Sequence, residues 1–308
     1  MSAEGGTRAI VAALSANLGI AATKFVAYLL TSSSSMLAES IHSVADSGNQ
    51  LLLLIGGKRA KREATPEHPF GFGRERYIYA FIVSIVLFSV GGLFALYEAY
   101  HKWHEGGGIE DHAWVPIVVL VIAIGLESYS FRTAIKESNQ VRGKTGWVTF
   151  VRRAKAPELP VVLLEDFGAL IGLVLALFGV SLTIITGDGI WDAIGTAGIG
   201  ILLVTIAVIL AVETKSLLIG EGANPEAVQQ IEQAVLAGEG IERIIHMKTL
   251  HLGPDELLVA VKIAVPRTES AAEVARHIDE TEVRIREAVP IARVIYIEPD
   301  IYRAPVSA

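Results

Sequence analysis

Glu39, His42 and Asp46 stand within one apolar stretch of the chain, spaced by three and four residues. On a helix this spacing puts all three on one face. A second acidic pair, Glu165 and Asp166, interrupts the run LPVVLLEDFGALIGLVLAL. One imidazole with several carboxylates is a donor set for Zn2+, Mn2+, Fe2+ or Co2+. His42 and Asp46, one turn apart, supply half of a tetrahedral site, and Glu165 and Asp166 are the donors available for the rest. The same groups exchange protons near neutral pH, so an ion that binds them displaces protons. Asn17, Lys24, Glu98 and Glu127 also interrupt apolar stretches, each as a single residue. Lys24 or Asn17 offers the competing reading, a buried polar network with the acids. The chain has no cysteine, which excludes disulfides, iron–sulfur clusters and thiolate zinc sites. No glycine-rich dinucleotide loop and no haem-attachment motif is present, so a redox enzyme has no footing. The reading is a secondary transporter, not an enzyme, with no cofactor.

The elements that carry these residues follow from composition. Of 308 residues 52% are hydrophobic and 19% charged, and the apolar ones are concentrated. A bilayer core needs about 20 mostly apolar residues to be crossed as a helix. Six stretches meet that need: residues 8–30, 36–57, 77–103, 114–131, 159–186 and 191–212. The expected fold is therefore an α-helical membrane protein with six transmembrane helices over residues 1–213. The acidic opening MSAEGG argues against a removable signal peptide. Ionisable groups inside spans are costly and usually face a polar cavity or one another, which makes the acids and His42 the functional candidates.

Lys58, Arg59, Lys61, Arg62, Arg74 and Arg76 crowd the link after the second span. Arg132, Lys136, Arg142, Lys144, Arg152, Arg153 and Lys155 crowd the link after the fourth, while the opposite links are nearly bare. Basic links face the cytoplasm, so both termini are expected there, with the protein multi-pass in the cell's inner (plasma) membrane. The net charge of −7 supplies no basic face for nucleic acid.

Residues 214–308 are of ordinary soluble composition. NPEAVQQIEQAVLA reads as a helix capped by Asn224 with Pro225 in its first turn. IERIIHMKTLHLG and ELLVAVKIAV read as strands around a Gly-Pro-Asp turn, 269–288 as an amphipathic helix, and ARVIYIEP as a last strand. The expected domain is α+β, in the order αββαβ.

The stretch SSSSMLAESIHSVADSGNQLLLLIGGKRAKREATPEHPFGFGRERY resembles the second span and following loop of the cation diffusion facilitators. The H-x-x-x-D of His42 and Asp46 and the HPFGFGR of residues 68–74 carry the resemblance, with LGPDELLV in the C-terminal part. It implies a homodimeric metal/proton antiporter exporting divalent ions from the cytoplasm, with protons as counter-ion and a metallochaperone-like cytoplasmic domain that dimerises. His42 and Asp46 match two of the four transport-site ligands of that family. Where the fifth span usually repeats H-x-x-x-D, this chain has Glu165 at the His position and Ala169 at the Asp position. The Leu-Glu-Asp here resembles the subgroup that includes the mitochondrial-type zinc transporters. Glu165 is then the third ligand and Asp166 a fourth ligand or a supporting partner, with Glu39 on the exit path or beside the site. About 100° of helix separates Glu165 from Asp166, so both facing one ion needs an adapting rotamer or helix distortion.

Other metal sites of the family are expected to be absent. In the loop His68 remains, but Phe72 occupies the second histidine position. In the C-terminal domain Ile297 stands at the usual His position, and His246, His251 and His277 lie elsewhere and are expected to be solvated. Zinc ranks first as cargo, with Mn2+, Fe2+ and Co2+ behind it. The alternative is a non-transporting membrane metal sensor or scaffold acting through the C-terminal domain.

Overall fold

The computed structural model describes residues 2–31, 34–105 and 114–303. The chain divides into two compact units, Met1–Arg59 with Glu75–Lys215, and Ala60–Arg74 with Ser216–Ala308. The division falls two residues after the expected one, but the loop 60–74 groups with the second unit, a correction to the unbroken 1–213 expectation.

The first unit is helical: α1 (Ser2–Thr31), α2 (Ser34–Arg59), α3 (Glu75–Val86), α4 (Phe94–Glu105), α5 (Trp114–Arg142), α6 (Trp147–Arg153), α7 (Glu158–Thr186) and α8 (Ile190–Ile219). A π-helical stretch, Leu87–Leu93, joins α3 to α4 into one long helix. There a Cβ on Gly92 would fall 3.0 Å from the backbone nitrogen of Val204, so only glycine lets α8 approach this closely. Pro160 sits in the first turn of α7, where its missing N–H costs nothing. Gly187 ends α7 with φ 73°, its N–H bonded to the Thr183 carbonyl.

Five helices among the described residues are long and apolar enough to cross a bilayer: Gly6–Leu29, Glu75–His104, Trp114–Arg142, Glu158–Thr186 and Ile190–Ile219. The sixth expected span, residues 36–57, does not meet that measure among the described residues. Helix α2, with 26 residues, is long enough, but it is too polar by composition. Its polar groups face other helices. Ser40 Oγ donates to the Ala21 carbonyl at 2.9 Å, Lys24 Nζ to Ser43 Oγ at 3.0 Å, and Asn17 Nδ2 to Gln50 Oε1 at 3.3 Å.

Helix α1 packs on α2, α5 and α7, α5 packs on α7, and α3 packs on α2. Burial is inverted relative to a water-soluble bundle. Val174, Phe178 and Ile185 of α7 and Ile201, Val208 and Val212 of α8 are exposed, while Asn49, Gln50, Glu127, Ser130, Glu165 and Asp166 are buried. A lipid-facing exterior has no need to be polar, and unsatisfied polar groups must turn inward.

The second unit carries α9 (Pro225–Leu236), β1 (Arg243–Gly253), β2 (Glu256–Ala264), α10 (Ala271–Ala288) and β3 (Ala292–Asp300), in the order αββαβ. Strand β2 is central, antiparallel to β1 through Thr249↔Val259 and parallel to β3 through Val259↔Ile295. The parallel pair requires the α10 crossover. Alternate residues Leu257, Val259, Val261 and Ile263 are buried with Ile231, Val235 and Ile285 of the helices. Asn224 caps α9, and Ser270 with Glu273 forms a capping box on α10. In the loop, Arg62 stacks over Phe72 at 3.9 Å and His68 meets the same ring edge-on at 4.7 Å. A Cβ on Gly73 would fall 2.8 Å from the Leu252 carbonyl oxygen, so the loop lies directly on the β1–β2 turn.

His246 is exposed, as expected, but His251 and His277 are not solvated. His251 is buried with Nδ1 3.3 Å from the Gly253 carbonyl, and His277 is buried with Nε2 3.5 Å from Glu269 Oε1. Both are tied to local structure. Ile297 packs against the hydrophobic core of this unit.

Candidate functional site

Helix α2 places Glu39, His42 and Asp46 on one face, in step with its backbone. The side chains of Glu39 and His42 lie outside the described residues, and Asp46 is half-buried. Helix α7 brings Glu165 and Asp166 inward, 7% and 1% exposed.

The two adjacent acids are held by different neighbours. Asn49 Nδ2 of α2 donates to Glu165 Oε1 at 2.9 Å. Ser130 Oγ of α5 donates to Asp166 Oδ2 at 2.6 Å. This is the 100° offset between consecutive helical residues, expressed as two partners on two helices. Glu127, one turn before Ser130 on α5, is 2% exposed. It lies within hydrogen-bonding reach of Asp166 and within electrostatic range of Glu165 and Asp46. Three carboxylates, Glu127, Glu165 and Asp166, are thus buried inside an apolar bundle, with the half-buried Asp46 in electrostatic range.

Their hydrogen bonding is incomplete. Glu165 Oε2, Asn49 Oδ1 and Gln50 Nε2 are buried with no hydrogen-bond partner among the described residues. Gln50 lies beside Glu165, but its Nε2 falls outside bonding geometry. Buried polar atoms are rarely left unpaired, and a cluster of them marks a place where water or an ion binds. Among the described residues, no three His, Asp or Glu side chains already converge as a closed metal-binding group.

Sequence reasoning passed over Asn49, Gln50 and Ser130, and read Glu127 only as a single interrupting acid. A signal was present: Asn49 and Gln50 continue the Asp46 face at i+3 and i+4, and Glu127 and Ser130 are three apart. The competing polar network is also resolved in part, since Asn17 and Lys24 bond to Gln50 and Ser43 of α2.

At the basic end of the unit, Arg76 of α3 and Glu158 of α7 form a two-pronged ion pair, Arg76 Nε to Glu158 Oε1 and Nη2 to Oε2, both side chains buried. At the far ends of α4 and α8, Lys102 Nζ meets Asp192 Oδ2 at 3.0 Å and Glu98 Oε1 at 3.4 Å. Glu98 and Asp192 are therefore accounted for by an ordinary half-exposed ion pair.

Residues 10–219 match the family described as the cation efflux transmembrane domain. The chain is 31% identical over 233 residues to the mitochondrial proton-coupled zinc antiporter SLC30A9 of Mus musculus, a match covering 75% of this chain and 41% of that protein. It thus spans about two fifths of the length of this relative. It is 26% identical over 250 residues to metal tolerance protein C4 of Arabidopsis thaliana, covering 80% and 54% respectively. It is 23% identical over 252 residues to the manganese efflux system protein MneP of Bacillus subtilis, covering 80% of each.

Proposed function

The chain belongs to the cation efflux family, and from that premise we propose that it exports a divalent metal ion in exchange for protons. His42, Asp46 and Glu165 bind the ion, Asp166 completes or supports the site, and Glu39 lies on the exit path. The observation that carries the reading is the buried, incompletely bonded cluster around Glu165, inside a bundle whose apolar side chains face outward. Such a cluster costs stability unless it is used. An ion loaded from the cytoplasm neutralises the carboxylates. Protons arriving from the other side compete for the same oxygens and release it.

Helix α2 counts as a crossing helix in this reading, making six, because its polar groups bond to α1 and, through Asn49, to Glu165 of α7. The basic links put both termini on the cytoplasmic side of the inner (plasma) membrane. The Arg76–Glu158 pair ties the basic ends of α3 and α7 and acts as an inner gate. The second unit dimerises two copies without zinc. Zinc is the first-choice cargo, supported by the zinc antiporter relative, while MneP keeps manganese in view. A sensor or scaffold has no use for buried, underbonded acids.

Purified protein in proteoliposomes, with a metal-sensitive dye and an imposed pH gradient, tests the reading. Zn2+ flux should be driven by the gradient and be lost in His42→Ala/Asp46→Ala. Equal flux for wild type and the double variant would end the antiport proposal. A panel of Zn2+, Mn2+, Fe2+ and Co2+, run with wild type and Glu165→His, ranks the cargo.

A further inference from the structure

Glu127 is the residue whose position the sequence least foretold. It stands alone in VPIVVLVIAIGLESYSF, where a single acid reads as an isolated interruption. The structure gives it company. It is almost fully buried, on the α5 face that also presents Ser130, and Ser130 holds Asp166. It sits within hydrogen-bonding reach of Asp166 and within electrostatic range of Glu165 and Asp46. Carboxylates gathered in a low-dielectric interior repel one another strongly, and a divalent cation among them turns that repulsion into attraction.

A separate observation marks the same place as a binding site. Asn49 is 2% exposed, and its amide nitrogen is held on Glu165. Its carbonyl oxygen Oδ1, like Glu165 Oε2, is buried without a hydrogen-bond partner among the described residues. Two unused acceptor oxygens, with Asp46 and Asp166 in electrostatic range of Glu165, call for a cation.

We propose that Glu127 is a further oxygen donor of the cargo site and sets its choice of metal. This rests on the transport reading above. With Glu127 and the Asn49 carbonyl counted, oxygens outnumber the single imidazole of His42. Carboxylate and carbonyl oxygens suit Mn2+ and its six-coordinate geometry, whereas zinc is satisfied by four donors and favours imidazole. The site therefore takes Mn2+ by using Glu127, and takes Zn2+ without needing it.

The experiment is calorimetric binding of Zn2+ and of Mn2+ to the full chain in nanodiscs, for wild type, E127Q and E127D. E127Q should weaken Mn2+ binding by about 10- to 100-fold, the usual loss for a ligand-sphere change, while Zn2+ affinity moves by less than about threefold. E127D should recover part of the Mn2+ affinity. Equal loss for both ions, or no loss for either, overturns the assignment of Glu127 while leaving the transport reading standing. Failure of the wild type to bind either ion overturns both. Should E127Q not fold, carbodiimide labelling of wild type decides: Mn2+ should protect Glu127 more than Zn2+ does, and equal labelling rates in the two ions overturn the assignment.

Discussion

Asn49 Nδ2 donates to Glu165 Oε1 at 2.9 Å, linking α2 to α7 across the interior of the bundle. The bond fixes which oxygen of Glu165 is occupied and leaves Oε2 free. Replacing Asn49 by Leu removes both the donor and the spare carbonyl oxygen. Groups that orient a metal ligand are typically worth 10- to 100-fold in affinity. Asn49→Leu should therefore lower Zn2+ affinity by about that factor without abolishing folding, as measured by calorimetry in nanodiscs.

The Ser130–Asp166 hydrogen bond makes the complementary case on α5. Ser130→Ala removes a donor to a buried carboxylate, a loss of about 1–3 kcal/mol for a bond to a charged group. If Asp166 supports the site through this orientation, Ser130→Ala should reduce transport several-fold, and Ser130→Thr should retain most of it. Dye-monitored flux in proteoliposomes distinguishes the two.

Arg76 and Glu158 are both buried, so breaking the pair leaves an uncompensated charge. Such losses run to about 3–5 kcal/mol, whereas replacing both partners by apolar residues is often tolerated. Glu158→Gln should lower the melting temperature markedly, and Arg76→Met/Glu158→Met should restore much of it. As an inner gate, the pair should also matter for flux, and the stabilised double variant should leak metal without a pH gradient.

The C-terminal unit should weaken in acid. The Lys262 ammonium, bonded to Asp300 at 2.9 Å, holds the Asp300 carboxyl below its usual range. The backbone N–H of Ser270 does the same for Glu273 in the capping box. Carboxylates depressed in the folded state contribute stability that is present above their ordinary values of 3.8 and 4.5 and is lost as pH falls through the folded ones. Lys262, raised chiefly by the Asp300 hydrogen bond, contributes with the opposite sign: its share is present below its ordinary 10.5 and lost as pH rises beyond it. Urea unfolding of the full chain, followed by proteolysis in the sheet, should show an acid-side loss that Lys262→Met and Glu273→Gln each reduce.

Dimerisation should survive chelation. Ile297 packs into the hydrophobic core of the second unit, and His251 and His277 are engaged locally. EDTA should leave the mass of the detergent-solubilised dimer unchanged in light scattering, and a shift to monomer would show that a metal bridges the copies.

The sequence by itself determined that the chain carries membrane-spanning helices and that a small α+β domain follows, and it singled out the acids in the spans as functional candidates. Run length, charge placement and helical spacing are local properties, and they survive without knowledge of neighbours. Only the tertiary structure decided who meets whom. A 100° step fixes that Glu165 and Asp166 diverge, but only packing shows that one meets α2 and the other α5. Packing also turned Glu127 from a solitary acid into a member of the cluster. It made the polarity of α2 intelligible as hydrogen bonding to α1 and to Glu165 of α7, and it moved the loop 60–74 onto the second unit. These outcomes depend on residues far apart in the chain, and on the strong preference of an apolar solvent for polar groups paired with one another.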